Sequence, residues 1–154
     1  MRGVQATLAL MLVGTTAALA QGGHVDLLAG PDSVKWAPVP ENLPAGGQIA
    51  ILYGDPSKEG PFVVRLKMPT GYQIPPHHHS MAESVTVISG DFAAGMGDKL
   101  NKAEAQSFKP GGFVWMPAKM NHYALANSEA VIQVQGQGPF DVVYVNAQDA
   151  PAKR

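Results

Sequence analysis

Apolar residues recur along the chain in short runs that alternate with polar residues and end at glycine or proline. The clearest run covers residues 62–68, where every second residue is apolar: Phe62, Val64, Leu66 and Met68. Side chains of a strand point alternately to its two faces, so this run predicts a half-buried strand. Similar runs predict further strands at residues 34–39, 48–53, 91–97, 113–116, 122–126, 130–136 and 140–146. Short, regularly spaced strands with Gly/Pro turns indicate an all-β barrel or sandwich.

Other stretches lack the strand pattern. Residues 98–105 are polar and rich in helix-forming types, and they predict about one turn of helix on an excursion loop. Residues 21–33 are glycine-rich and predict a flexible leader, in which His24 is expected to be solvated. Residues 148–154 predict a loose tail, which leaves one domain over residues 34–147.

The first twenty residues have the composition of a secretory signal. Arg2 supplies the charged start, residues 6–13 the apolar core, and Ala18-Leu19-Ala20 the small-residue cleavage site. The apolar part is shorter than the roughly 20 residues of a membrane span, and no later segment is uniformly apolar over that length. We therefore expect residues 1–20 to be a signal peptide, and the mature protein to be periplasmic or secreted with no membrane span.

Composition excludes several functional classes. The 154-residue chain has 11 Lys and Arg against 12 Asp and Glu, a formal net charge of −1, and no basic cluster, so no nucleic-acid partner is expected. Cysteine is absent, which excludes both a disulfide framework and thiolate ligands. No nucleophilic Ser or Cys constellation and no phosphate-binding Gly-rich loop are apparent.

The candidate chemistry is concentrated between Gly71 and Gly90. Four of the five histidines lie in this stretch or at His122. Read as one extended strand, the stretch places His77, His79 and Glu83 on a single face, where a barrel interior would bring them together. Imidazoles plus a carboxylate suit one divalent transition metal among Fe, Mn, Ni, Cu and Zn, although a surface histidine cluster has the same local spacing.

The spacing within this stretch resembles the first conserved motif of the cupin superfamily. Gly71 is followed by five residues, then His77, one residue, His79, three residues, Glu83, six residues and Gly90. A second cupin motif follows with Gly111, Pro117 and His122. Two positions depart from it: Lys119 stands where the family usually has glycine, and Asn127 comes one residue later than the usual asparagine.

The resemblance to small single-domain bacterial cupins implies a small antiparallel barrel of the jelly-roll, or double-stranded β-helix, type. It also implies that His77, His79 and Glu83 of the first motif and His122 of the second bind a metal inside that barrel. His78 has the opposite parity to His77 and His79, so an exterior or rim position is expected for it.

Other residues are candidates for contacts with a small molecule. Met81 shares the parity of His79 and Glu83, and together with Met116 and Met120 it suggests either packing of the barrel or soft copper ligands. Gln133 and Gln135 share one face of a predicted strand and point either to solvent or into the pocket. Facing inward, they would orient a polar ligand.

Two functions remain open at this level. The first is a metal-dependent dioxygenase acting on an enolic, diketone or phenolic small molecule, as in some cupins, with Glu83 as the catalytic proton acceptor. The second is a non-catalytic cupin of the cell envelope that binds or senses a small ligand through its metal. Both imply a small-molecule partner, and a homodimer stays open.

Overall fold

A computed structural model describes residues 30–152, in which nearly all regular structure is strand, as predicted. The predicted signal peptide, His24 and most of the leader lie outside these residues. Two short 3₁₀ turns occur, at Pro31–Ser33 and Ala147–Asp149. The strands are β1 (Ala37–Pro38), β2 (Gln48–Tyr53), β3 (Gly60–Met68), β4 (Gln73–His78), β5 (Glu83–Ser89), β6 (Phe92–Met96), β7 (Gln106–Phe108), β8 (Phe113–Met116), β9 (His122–Ala126), β10 (Ala130–Gly138) and β11 (Val143–Tyr144).

The strands form two antiparallel sheets that pack face to face. The first has the order β1-β2-β3-β10-β5-β8 and the second the order β11-β4-β9-β6-β7. From β7 to β11 each strand lies in the opposite sheet to the one before it, which is a jelly-roll path. The sheets are not closed into the predicted barrel, because between residues 30 and 152 no hydrogen-bonded ladder joins one sheet to the other.

The main core fills the space between the sheets. Phe62, Met68 and Phe92 are at most 1% exposed there. A smaller cluster lies on the outer face of the second sheet, where Tyr123 packs against Leu100 from the connection between β6 and β7. This connection therefore protects part of a sheet face that would otherwise meet water.

Several predicted elements differ in extent. The strands at 48–53, 113–116 and 122–126 have the predicted bounds. Of the helical turn predicted over 98–105, a single hydrogen-bonded turn is present, in which the N–H groups of Glu104 and Ala105 both donate to the carbonyl oxygen of Asn101, and no helix extends from it. The short β7 was not predicted. None of the helical segments among the described residues is long and apolar enough to cross a membrane.

Candidate metal centre

Two of the predicted ligands face each other across a strand pair. His77 in β4 is the register partner of His122 in β9. Between Ile74 and His77, β4 carries one residue more than β9, which is a bulge. Pro75 and Pro76 suit a bulge because neither has an N–H to donate to a ladder. The bulge reverses the alternation of side chains, so Ile74 and His77 line the same interior cavity although they are three positions apart.

His79 and Glu83 lie where the chain crosses between the sheets. β4 ends at His78 and β5 begins at Glu83, so residues 79–82 form the connection. The prediction of one continuous strand through His77, His79 and Glu83 is therefore wrong, because β4 and β5 belong to different sheets. The crossing still directs both side chains inward, where His79 is 6% and Glu83 5% exposed.

The four side chains converge between the sheets. One ring nitrogen from each of His77, His79 and His122 lies within 4.8 Å of the other two. The Oε1 atom of Glu83 lies 3.2 Å from Nε2 of His79 and 3.0 Å from Nε2 of His122. The structure thus brings together all four residues that the two motifs indicate.

Backbone carbonyl groups orient the three imidazole rings. Each ring directs its Nδ1 atom at a carbonyl oxygen, which can only accept, so Nδ1 carries the proton. The neutral ring then presents the lone pair of Nε2 to the centre, as metal-binding histidines do. The acceptors are the carbonyl oxygens of Pro75 for His77, Asp141 for His79 and Met120 for His122.

The charges at this point fit a bound cation. Both His79 and His122 face a carbonyl oxygen on Nδ1 and the Glu83 carboxylate on Nε2. A neutral imidazole has a single N–H and cannot donate to both acceptors. A divalent cation removes this conflict because the nitrogen lone pairs and the carboxylate can all bind it directly. The donor set therefore fits a divalent transition metal.

Burial and mutual contacts set the protonation of the cluster. Burial, followed by the neighbouring His122 and His79, lowers the pKa of His77 to about 3 and keeps its ring neutral. Burial opposes charge on His79, but its contact with the Glu83 carboxylate outweighs burial and raises its pKa. Burial likewise favours a neutral Glu83, yet its contacts with Nε2 of His122 and of His79 outweigh burial and lower the pKa of Glu83. Glu83 is therefore a carboxylate.

These four side chains form part of the wall of an internal cavity of about 140 Å³. The rest of the lining is mostly apolar and comes largely from both sheets, with Phe62, Val64, Leu66, Val85, Ile132 and Phe140 among its members. A small, mainly apolar cavity with a few convergent polar groups is the usual form of a small-molecule site.

The residues predicted as substrate contacts lie outside this cavity. Met81 is 37% exposed in the connection between β4 and β5. Gln133 and Gln135 alternate along β10 with residues that line the cavity, so both amides face outward. There, Oε1 of Gln133 accepts a hydrogen bond from Nε of Arg65 at 3.2 Å. Of the two orientations that the sequence left open, the structure therefore has the outward one.

The methionines near the centre fall into two groups. Met116 is 3% exposed and lines the cavity, as the packing interpretation predicts. Met81 and Met120 are 37% and 43% exposed and do not fill the core. His78 faces away from the cluster, as its parity predicts, and its Nδ1 atom lies 3.0 Å from Oδ1 of Asn121.

Lys119 explains why the resembled motif prefers glycine at its position. Its φ angle is 63°, in the left-handed region that glycine adopts most easily. The backbone N–H of Lys119 donates to the carbonyl oxygen of His79 at 2.8 Å. This turn thus joins the second motif to the connection that carries His79.

The segment after β10 contributes to the centre in a way that the sequence did not predict. Phe140 lines the cavity and Asp141 supplies the carbonyl group that orients His79. The pattern over 140–146 predicts a regular strand, but pairing is confined to Val143–Tyr144. The sequence carries no signal for these contacts, because they depend on the path of a connecting segment.

Comparison with known families gives a direct match. A family model described as the ChrR Cupin-like domain matches residues 24–141, which is most of the chain. The matched region includes both motifs and all four convergent side chains. No curated protein sequence matches the chain.

Solved structures share the fold at low sequence identity. KdgF from Halomonas sp. is 22% identical, with a TM-score of 0.53 over 70% of this chain and 92% of that chain. A protein from Methylibium petroleiphilum PM1, provisionally described as an acetylacetone dioxygenase, is 16% identical, with a TM-score of 0.63 over 88% and 91%. A chain of the Rhodobacter sphaeroides complex of SigE with the anti-sigma ChrR is 20% identical, with a TM-score of 0.51 over 71% and 52%. These similarities support the cupin jelly-roll fold.

Proposed function

We propose that this chain, which belongs to the family of ChrR cupin-like domains, is an exported metalloenzyme of the dioxygenase type. Its substrate class would be a compact enolic, diketone or phenolic molecule. The observation that carries this proposal is the position of His77, His79, His122 and Glu83 in the wall of a cavity that is otherwise mostly apolar.

The four side chains would hold one divalent ion of Fe, Mn, Ni, Cu or Zn. Such an ion, when bound, supplies a Lewis acid and, for a redox-active metal, a centre for oxygen chemistry. In a dioxygenase reaction both atoms of O₂ enter the product, so no external reductant is needed. The proposal that a metal binds rests on the geometry of the cluster. The proposal of a dioxygenase reaction goes one step beyond that geometry.

The residues of the cavity have separate tasks in this proposal. The apolar lining holds a carbon skeleton and excludes water, which strengthens electrostatic interactions inside. Glu83 is a carboxylate whose lowered pKa makes it a weak base on its own, so accepting the acidic proton of an enolisable diketone or a phenol at Oε1 would depend on the bound Lewis acid lowering the pKa of that substrate. A cavity of about 140 Å³ limits the substrate to a small molecule.

The similarity to the Methylibium protein supports the choice of substrate class, since that protein is provisionally described as an acetylacetone dioxygenase. The signal-like composition of residues 1–20 supports export to the periplasm or beyond, with cleavage after Ala20. A small molecule is the proposed partner, and a homodimer is compatible with it.

Oxygen consumption tests the catalytic proposal. Protein loaded with Fe(II), Mn(II), Ni(II), Cu(II) or Zn(II) is mixed with 2,4-pentanedione as the diketone probe or catechol as the phenolic probe. We expect at least one redox-active form to consume oxygen with a probe, and Glu83→Gln to slow that reaction by about 10²–10⁴-fold through loss of the proton acceptor. The control is Glu104→Gln, which makes the same change at an exposed position and should leave the rate unchanged.

The second candidate function is a non-catalytic module that binds or senses a small ligand. The family match and the similarity to a chain of the SigE–ChrR complex favour it. It predicts no oxygen consumption in any metal form, but metal-dependent binding of a small ligand in calorimetry. Oxygen uptake that depends on Glu83 and on the metal would exclude it.

A further inference from the structure

His79 differs from the other two histidines of the cluster in how its backbone is held. His77 and His122 lie in paired strands and are register partners. His79 lies in the connection of residues 79–82, outside any strand. Its position must therefore be set by contacts other than a strand ladder.

Asp141 makes the main contacts to this connection. Its carboxylate accepts hydrogen bonds from the backbone N–H of Ser80 and from Oγ of Ser80, both at 2.6 Å. Its carbonyl oxygen accepts the Nδ1 proton of His79. Asp141 thus holds the connection through hydrogen bonds of both its side chain and its backbone.

Phe140 places Asp141 against the connection. Its ring stacks on the imidazole of His79, with centroids 4.1 Å apart and planes inclined by 22°. The N–H of Phe140 donates to the carbonyl oxygen of Pro56 at 2.7 Å, and its ring lies 5.0 Å from that of Phe62. Asp141 is therefore anchored to the rest of the fold and can impose a position on His79.

We propose that Asp141 is a positioning residue. Its two carboxylate hydrogen bonds with Ser80, here called the latch, hold the connection of residues 79–82 so that Nε2 of His79 faces the other two imidazoles. The proposal rests on the metal centre proposed above. Opening of this latch, by loss of the Asp141–Ser80 hydrogen bonds, releases His79, the one of the three clustered histidines that lies outside a strand, so it sets the rate at which a bound metal leaves. Closing it completes the centre during uptake.

The chemistry of the carboxylate makes the latch specific. Both contacts from Ser80 are donors, and each meets a separate oxygen of Asp141. An asparagine has one acceptor oxygen, and its amide group would face the second donor. Asp141→Asn therefore replaces both charge-assisted bonds with weaker neutral ones at nearly constant volume, because the hydroxyl of Ser80 can rotate and accept from the new amide group.

The test measures metal binding and release without using activity. Co(II) is loaded into the wild type and Asp141→Asn, its visible spectrum is recorded, and its release to excess chelator is timed. Groups that orient a metal ligand typically contribute about 10–100-fold to affinity. We expect Asp141→Asn to lower Co(II) affinity by about that factor, mainly through faster release, with an altered spectrum. Ser80→Ala keeps the backbone donor and should speed release less, by about fivefold.

Asp91→Asn is the matched control. Asp91 also accepts a hydrogen bond from a serine at 2.6 Å, from Oγ of Ser107, but it lies in the turn between β5 and β6, at the other end of β5 from Glu83. This variant should lower the melting temperature and leave the release rate unchanged. It separates positioning of His79 from a general loss of stability.

The latch is overturned if Asp141→Asn releases Co(II) at the wild-type rate with an unchanged spectrum. If Asp141→Asn does not fold, an unchanged release rate in Ser80→Ala overturns it instead. A wild type that binds no Co(II) fails differently, because it contradicts the metal centre itself.

Discussion

Adding Zn(II) to the metal-free protein should raise its melting temperature by on the order of 10 °C. Only the folded state brings the three imidazoles and the Glu83 carboxylate together, so a metal that binds them stabilises that state. At a free metal concentration of 100 times Kd, the stabilisation is about 2.7 kcal/mol. Scanning calorimetry with chelator and with excess Zn(II) measures it.

Two variants show how much His79 and Glu83 each contribute to the stabilisation by Zn(II). His79→Ala leaves a gap in the centre and should weaken binding by more than the roughly 100-fold upper value for supporting groups. At the same Zn(II) concentration its stabilisation should then fall below about 0.5 kcal/mol. Glu83→Gln keeps an amide oxygen that can still coordinate, so it should retain a larger part of the shift.

Each shift is measured against the metal-free form of the same variant, which removes any effect of the substitution on the fold. Melting curves that coincide with chelator and with excess Zn(II), in the wild type and both variants, would show that the histidines do not form a working metal site. The burial of these four polar side chains next to one another would then need an explanation other than metal binding.

Gly90→Ala should be far more destabilising than Gly111→Ala, although the two glycines have similar backbone angles. Their φ values are 80° and 86°, so alanine at either position costs about 1–2 kcal/mol in the left-handed region. At Gly90, a Cβ atom would also lie 2.0 Å from the carbonyl oxygen of Glu129, which is backbone and cannot rotate away. At Gly111, no heavy atom of residues 30–152 lies within 4 Å of that position, apart from the glycine itself and its two chain neighbours.

The overlap should add about 1–3 kcal/mol at Gly90, for a total loss of roughly 2–5 kcal/mol in the free energy of unfolding. Gly111→Ala should lose only the cost of the left-handed backbone, about 1–2 kcal/mol. Urea unfolding of both variants, in chelator so that metal does not contribute, compares them directly. Equal losses would mean that the turn between β5 and β6 relaxes easily.

The strands could be predicted because their cause is local. In β3, alternation of apolar and polar residues fixes which side faces the core, and glycine and proline mark the ends. The extent of β11 could not be predicted, because pairing there depends on which part of residues 140–146 reaches β4. The turn at 98–105 has helix-forming residues, but covering Tyr123 decides its path.

The residues of the centre could be predicted from their types and spacing, but the path of the chain that brings them together could not. Spacing indicated His77, His79 and Glu83 together, yet a period of two cannot distinguish one strand from two strands in different sheets. The bulge at Pro75-Pro76 changes the alternation before His77, and the crossing at residues 79–82 separates β4 from β5, and the spacing of the three residues indicates neither. The orientation of Gln133 was ambiguous for a similar reason, since either face of a strand can be the inner one.

X-ray absorption at the Zn edge tests the proposed centre most directly, on Zn(II)-loaded wild type and His122→Ala. His122 comes from the second motif, far in sequence from the other three ligands, so its presence at the metal requires the fold described here. The wild type should show three imidazole nitrogens and a carboxylate oxygen at about 2.0–2.2 Å, and His122→Ala should lose one imidazole. Identical spectra from the two proteins, or a spectrum without imidazole scattering, would contradict a metal centre formed by His77, His79, Glu83 and His122.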